Sequence, residues 1–200
     1  MRVLLEMTGT SPLLMHNPQL ADPANSWTRA IAEITAKGKK MTDKDQQEKL
    51  RLEFMGGLYV GAKGVVVPAK SIRKCLILAA RITRKGKDIE RALITTSIEF
   101  PLIYKGPREP TGLWADEQHR YLTLVKVGRG LVPRMRPQFP RWSLVSEWEI
   151  ETSILNLRDF IEMASKAGVV EGIGDNRVNG FGRFTTQVSE AVDEISHKAA

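Results

Sequence analysis

A glycine-rich run near the C-terminal end limits most strongly how this chain folds. Residues 171–184 read EGIGDNRVNGFGRF and contain two Gly-apolar-Gly units, Gly172-Ile173-Gly174 and Gly180-Phe181-Gly182, separated by five residues. Glycine loses more backbone entropy on folding than other residues. Such a density of glycine therefore predicts positive φ angles or the close approach of another backbone. In a basic chain, that neighbour is plausibly a phosphate backbone.

The composition favours one folded domain with an anionic partner. The chain has 200 residues, of which 42% are hydrophobic, and 30 basic against 23 acidic residues give a net charge of +7. This excess of basic residues favours nucleic acid as a partner. A soluble basic protein that binds no nucleic acid can have the same net charge, so the charge alone does not separate the two cases. The single cysteine, Cys75, excludes an intramolecular disulfide and a Cys-rich zinc site.

Targeting and membrane signals are not expected. The N-terminal residues 1–6 are charged too early for a signal peptide. No apolar run approaches the roughly 18 residues that a membrane span needs. We therefore expect a cytoplasmic protein without a membrane partner.

Hydrophobic periodicity predicts an alternation of strands and helices. Strands are expected near residues 2–10, 58–60, 65–67, 121–127, 144–151 and 184–188. Helices are expected to begin at Ser26, Thr42, Lys70 and Asn156, and Gly168 is placed to end the last one. In the third helix Ile72, Cys75 and Ile82 follow one apolar stripe.

The order strand, helix, strand, strand, helix, strand predicts an α+β fold. It is a ferredoxin-like (RRM-type) antiparallel sheet with helices on one face. Residues 1–190 form a single domain, with insertions at about 12–67 and 128–142. The first insertion is helical near residues 26–60, the second is a basic, thumb-like β-hairpin, and residues 191–200 form a polar tail.

The glycine run does not match the common nucleotide loops. No Gly-Lys-Ser/Thr follows it, and neither its spacing nor its surroundings fit a Rossmann fingerprint. Two interpretations remain. The run is a loop that approaches a nucleic-acid backbone, with Arg177 and Arg183 as phosphate contacts, or it is a tight turn that packs the last helix against the last strand. The glycines concerned are Gly172, Gly174, Gly180 and Gly182.

This loop resembles the C-terminal glycine-rich loop of the RAMP superfamily, the RRM-fold RNA-binding proteins of CRISPR systems. The resemblance rests on residues 172–184 and on the strand order; the opening strand and the loop residues 13–17 are also similar. Solitary phage and prophage sequences look similar too. Guide-RNA-binding backbone subunits fit best, because they carry a thumb between the middle strands where residues 128–142 lie. The resemblance implies head-to-tail assembly along RNA, as a homo-oligomer or with other CRISPR-type subunits.

The thumb-like segment has the chemistry of a nucleic-acid contact. It contains no acidic residue. Arginine is a residue type that binds phosphates, and aromatic side chains are residue types on which bases stack. The contacts predicted there are Arg129, Arg134, Arg136, Arg141, Phe139 and the preceding Lys126. The alternative is a solvated loop in which Phe139 and Trp142 close the core. Lys70, Arg73 and Lys74 are also predicted to contact nucleic acid, but with less support. Their spacing fits the solvated side of an amphipathic helix equally well.

We expect no enzyme, metal or cofactor. The expected function is non-catalytic binding of a single-stranded nucleic acid, RNA in preference to DNA. Glu147, Glu149 and Glu151 share one strand face, which solvent exposure explains more simply than a divalent ion. Three alternatives remain open. They are a RAMP-type endoribonuclease using His16 as its acid–base group, a phage single-stranded DNA-binding or annealing protein, and a CRISPR-effector mimic or inhibitor that acts through protein–protein contact.

Overall fold

The structure is a computed structural model that describes residues 1–95, 97–128 and 130–191. Its strands are β1 (Arg2–Gly9), β2 (Leu13–Leu14), β3 (Val60–Gly61), β4 (Gly64–Pro68), β5 (Leu93–Ile94), β6 (Glu99–Pro101), β7 (Ile103–Tyr104), β8 (Arg120–Val127), β9 (Gly130–Phe139), β10 (Trp142–Ile150) and β11 (Phe184–Glu190). Its α-helices are α1 (Ser26–Ala36), α2 (Asp43–Gly57), α3 (Ala69–Ile82), α4 (Gly86–Ala92), α5 (Pro110–Ala115) and α6 (Leu157–Lys166).

The main sheet has the order β11-β1-β10-β5, and β7 also pairs with β10. All of these pairings are antiparallel. The first strand is therefore central, between the last strand and the strand that precedes the last long helix. This arrangement confirms the predicted α+β, ferredoxin-like fold class.

One face of the main sheet forms the core. Val3, Leu5 and Met7 of β1 are fully buried, as is Trp148 of β10. Helices α3 and α6 contribute their apolar residues to the same cluster. The alternation along β1 and β10 thus fixes which face the helices cover, because successive side chains of a strand point to opposite sides. The predicted stripe of α3 ends earlier than expected, since Ile82 is exposed.

Local capping agrees with the sequence in part. Thr42 and Asp45 form the predicted capping box of α2. Helix α1, in contrast, is capped by Asn25, whose side chain accepts from the Trp27 amide, and Ser26 is its first residue. Gly168 does not end the last helix, because the chain continues through a π-helical turn and stops at Gly172, which has φ of 68°.

The arginine-rich segment forms most of β9, which pairs along its length with β8 as a hairpin. The base of the hairpin pairs with β2, and α2 packs against β9. Phe139 is fully buried, and Trp142 is buried as the first residue of β10. The alternative interpretation, in which these two aromatic residues close the core, is therefore the correct one for both.

None of the helices in the described part of the chain has both the length and the apolar character needed to cross a membrane.

Two glycines of the run provide a matched test of its packing. Gly180 and Gly182 both have positive φ, 85° and 68°. A Cβ at Gly180 meets nothing within 4 Å, whereas one at Gly182 overlaps the carbonyl oxygen of Ile173. We expect Gly180→Ala to lower the free energy of unfolding by about 1–2 kcal/mol through backbone strain. Gly182→Ala should cost about 1–3 kcal/mol more through the overlap.

Urea unfolding of both variants measures this difference. Equal losses of stability would contradict the close approach between Gly182 and Ile173.

Candidate nucleic-acid interface

The glycine run folds back on itself and against the loop after β1. Gly172, Gly174, Gly180 and Gly182 all have positive φ. The Ile173 amide donates to the Gly182 carbonyl at 3.0 Å, and a Cβ at Gly174 would overlap the carbonyl of Leu14. The backbone that approaches Gly174 and Gly182 is thus the chain's own: the loop after β1 at Gly174, and the other Gly-apolar-Gly unit at Gly182.

The same run forms one wall of a cleft. The opposite walls are the loop after β1 and the start of α3, and the cleft has a volume of about 220 Å³. Its lining includes Leu13, Met15, His16, Tyr59, Val67, Pro68, Ser71, Lys74, Cys75, Gly172, Ile173, Gly174, Asp175 and Arg177. The amide of Gly174 donates to no residue that the structure describes. It is therefore available to an acceptor in the cleft.

Two cations face this cleft from opposite walls. Lys74 is exposed and has no carboxylate partner in the described part of the chain. Arg177 begins a single 3₁₀ turn of the glycine run, and its Nη1 lies 3.8 Å from Glu171 Oε2. This separation is too long for a strong hydrogen bond. Both groups are therefore suited to bind an anion between them.

The floor of the cleft is not nucleophilic. Cys75 is buried, and its thiol donates towards the carbonyl of Ala167 at 3.6 Å. Burial raises the pKa of the Cys75 thiol to about 12. The thiolate is the reactive form of cysteine, so this side chain remains an unreactive thiol at neutral pH.

His16 lies between this cleft and a second one. The second cleft, of about 290 Å³, is lined by His16, Leu20, Thr28, Ile31, Glu53, Arg134 and Arg136. Partial burial of the ring, and next the positive charge of Arg136, lower the pKa of His16. The imidazole is therefore neutral at pH 7 and able to accept a proton. The two clefts and His16 together are called the basic track below.

The two arginines of the second cleft are held by acidic residues. Arg136 Nε donates to Asp175 Oδ2 at 2.9 Å, which joins the hairpin to the glycine run. Arg134 Nη1 donates to Oε1 of Glu53, and the Met135 amide donates to Oε2 of the same carboxylate at 3.0 Å. Glu53 is 3% exposed. These bonds orient both guanidinium groups and leave further N–H donors facing the cleft.

The structure thus brings together several predicted contacts along the track. These are Arg134, Arg136, Lys74, Arg177, Gly172 and Gly174. Lys70 is exposed one helical turn before Lys74. Sequence reasoning missed Tyr59 and Ser71. The spacing of Ser71 and Lys74 at i and i+3 on one helix was the signal that was available for Ser71.

Other predicted contacts lie elsewhere or serve the fold. Arg73 donates to the backbone carbonyls of Glu90 and Leu93, and Arg183 donates to the carbonyl of Arg177 at 3.1 Å. Both guanidinium groups thus stabilise the chain. Phe139, being fully buried, offers no ring face to a base, contrary to the prediction.

Two more predicted contacts, Lys126 and Arg141, are not among the residues that line the track. Lys126 lies near the end of the hairpin, opposite Leu131. Arg141 is exposed beside a separate depression. Arg129 lies outside the described residues.

The open face of the main sheet is a poor surface for nucleic acid. Its outward side chains on β1, β10 and β11 are Arg2, Leu4, Glu6, Thr8, Ser143, Val145, Glu147, Glu149, Thr185, Gln187 and Ser189. They contain no aromatic ring for stacking, and three are glutamates. Arg2 Nε lies 3.1 Å from Glu147 Oε1, so its charge is also compensated. Within the described residues, no group of three or more His, Cys, Asp or Glu side chains is arranged to hold a metal ion.

No protein-family model and no curated protein matches the chain.

The buried Glu53 makes Arg134 important for stability. Arg134→Ala leaves that carboxylate with only the Met135 amide, and an unsatisfied buried charged group costs about 1–3 kcal/mol or more. We expect the free energy of unfolding to fall by this amount in chemical denaturation. Arg141→Ala, which removes an exposed arginine from the same segment, is the matched control and should change it by less than about 0.5 kcal/mol. Equal effects would contradict a structural role for the Arg134–Glu53 pair.

Proposed function

We propose that the chain binds single-stranded nucleic acid, RNA in particular, along the basic track. The observation that carries the proposal is the convergence of Lys74, Arg177 and the free Gly174 amide around one cleft. Cationic side chains and backbone amides are the groups that contact phosphates in nucleic-acid complexes. The bound nucleic-acid strand then continues past His16 to Arg136 and Arg134 in the second cleft. The preference for RNA follows from the resemblance to the RAMP superfamily.

The contacts available along the track favour the nucleic-acid backbone over base edges. Lysine, arginine and glycine amides recognise phosphate oxygens and carry little sequence information. The second cleft places Arg134 and Arg136 two residues apart on β9, so the two residues are roughly 7 Å apart along the strand. Binding is therefore expected to depend weakly on sequence and strongly on salt.

The proposal includes assembly of several chains on one nucleic acid. Among the strands that the structure describes, β8 pairs with β9 alone, so the backbone groups of its other edge have no strand partner there. Its neighbouring side chains Leu122, Leu124 and Leu131 are 55%, 61% and 66% exposed. An apolar, open strand edge is a surface on which another chain adds. A second copy bound further along the same RNA is the proposed occupant.

Charge reversal at the first cleft tests the binding function. We expect Lys74→Glu with Arg177→Glu to weaken binding to a 20-nucleotide single-stranded RNA. The slope of log K against log salt should also become shallower by about 0.7 for each lost phosphate contact. Lys39→Glu with Lys40→Glu, an equal charge change at exposed lysines between α1 and α2, is the matched control.

Fluorescence anisotropy at several salt concentrations measures both quantities. Absence of wild-type binding at low salt, or equal losses in the two double variants, would overturn the proposal. Sedimentation of wild-type complexes on RNAs of increasing length counts the chains per RNA. One chain at every length would overturn the assembly.

A second candidate function is RNA cleavage, and the position of His16 favours it. The imidazole lines both clefts of the track, and its lowered pKa keeps it able to accept a proton from a ribose 2′-hydroxyl. Tyr59, whose hydroxyl donates to the His16 carbonyl at 3.3 Å, and Lys74 line the same cleft.

Cleavage is tested on labelled RNAs separated by gel electrophoresis. If His16 is a general base, discrete products form, His16→Ala abolishes them without weakening RNA binding, and a DNA of the same sequence remains intact. Products that persist in His16→Ala, or no products at any pH from 5 to 9, would exclude this function.

A further inference from the structure

An aromatic pair lies where the hairpin meets the glycine run. The rings of Tyr121 in β8 and Phe181 in the glycine run have their centroids 5.1 Å apart at an interplanar angle of 62°. Both residues are partly exposed. The contact lies beside the basic track, because Tyr121 is directly opposite Arg136 in the β8–β9 register and therefore shares its face of the hairpin.

Phe181 differs from the other phenylalanines of the chain. Of the six phenylalanines, the other five (Phe54, Phe100, Phe139, Phe160 and Phe184) are at most 5% exposed. Phe181 instead lies near the surface between Gly180 and Gly182, whose φ angles are 85° and 68°. A left-handed glycine on each side of Phe181 thus holds a large apolar ring where water reaches it.

Tyr121 also differs from the other two tyrosines. The hydroxyl of Tyr59 donates to the His16 carbonyl at 3.3 Å, and that of Tyr104 donates to the Pro107 carbonyl at 2.9 Å. The Tyr121 hydroxyl has no hydrogen-bond partner in the described part of the chain. Its ring is therefore fixed by Phe181 on one side while its polar end is free for another group.

The surrounding groups supply a phosphate contact next to these rings. Arg136 donates through Nε to Asp175 and through Nη1 to the Met135 carbonyl at 3.3 Å. Its Nη2 has no described partner. In a single-stranded nucleic acid each base is joined to its own phosphate through one sugar, and the Cβ atoms of directly opposite residues such as Tyr121 and Arg136 are about 4.5–5.5 Å apart. A phosphate at Arg136 thus places an unpaired base close to Tyr121.

We propose that Tyr121 and Phe181 form a stacking platform for an unpaired nucleobase of a nucleic acid whose phosphate is bound by Arg136. The inference rests on the proposed binding function and extends it, since it names the part of the ligand that the phosphate contacts do not recognise. A paired base has both faces covered by its neighbours in the duplex. The platform therefore selects single strands, and it replaces Phe139, which the fold uses in its core.

The test compares a 20-nucleotide single-stranded RNA with an abasic ribose-phosphate oligomer of the same length. The variants are Phe181→Leu and Tyr121→Leu, which keep an apolar side chain but remove the aromatic ring. Trp114→Leu, at a partly buried aromatic residue that contacts Phe54 instead of the track, is the control. Phe181→Trp keeps an aromatic face and should preserve binding.

We expect the wild type to prefer the RNA, and each leucine variant to lose about 5- to 150-fold in affinity for it, the range for one stacked base. Affinity for the abasic oligomer and the salt slope should remain unchanged. A wild type that binds both ligands equally, or leucine variants that keep the preference, would overturn the platform while leaving the binding function intact. An equal loss for both ligands would assign the pair to holding the hairpin in place and also overturn it. Absence of wild-type binding to either ligand would overturn the proposed function itself.

Discussion

The crossing of the glycine run over itself is the constraint on which the rest of the site depends. The Ile173 amide bonds to the Gly182 carbonyl, and the Gly182 amide bonds to the Pro12 carbonyl at 2.8 Å. The Asp175 amide reaches the Leu14 carbonyl at the same distance. These backbone bonds place the run against the loop after β1 and so fix two walls of the cleft, whose third wall is the start of α3.

The crossing also determines where the hairpin lies. Asp175 and Phe181 are on the run, and they contact Arg136 and Tyr121 on the two strands of the hairpin. The hairpin is therefore positioned by one ion pair and one aromatic contact on this face, and by the buried Glu53 of α2, whose carboxylate accepts hydrogen bonds from Arg134 and Met135 of β9. Any change in the run is thus transmitted to the arginines of the second cleft, although these residues are distant in sequence.

Local patterns predicted the fold well because the forces that set it are local or periodic. Val3, Leu5 and Met7 alternate along β1 and are all buried, and the Thr42–Asp45 capping box forms as expected. The interface was harder, because a basic residue looks the same in sequence whether it binds phosphate or a carboxylate. Arg134 and Arg136 were identified as cations, but their acidic partners, Glu53 and Asp175, come from other parts of the chain.

The aromatic residues show the same limit of the sequence analysis, which does not reveal the tertiary surroundings of a side chain. Neither Phe139, between Gln138 and Pro140, nor Phe181, between two glycines, has an apolar aliphatic or aromatic neighbour in sequence, and only the tertiary arrangement decides that the first is buried and the second is partly exposed. Periodicity places Phe139 on the inward side of a strand only once the register with β2 is known. For Phe181, the sequence signal was the pair of flanking glycines, which fitted both an approach to a nucleic-acid backbone and a tight turn, and neither interpretation places the ring.

The pairing of the arginines has a consequence for how binding energy is distributed along the track. A guanidinium whose charge is already compensated by a carboxylate neutralises a bound phosphate less completely, so fewer of the cations condensed on the nucleic acid are released than at an unpaired cation. Arg134, Arg136 and Arg177 are all next to acids, whereas Lys74 is not. The salt dependence of binding should therefore be smaller than the number of basic residues suggests. For the proposed binding function, the affinity that remains at high salt must come from groups without net charge, such as the Gly174 amide in the track and the Tyr121–Phe181 rings beside it.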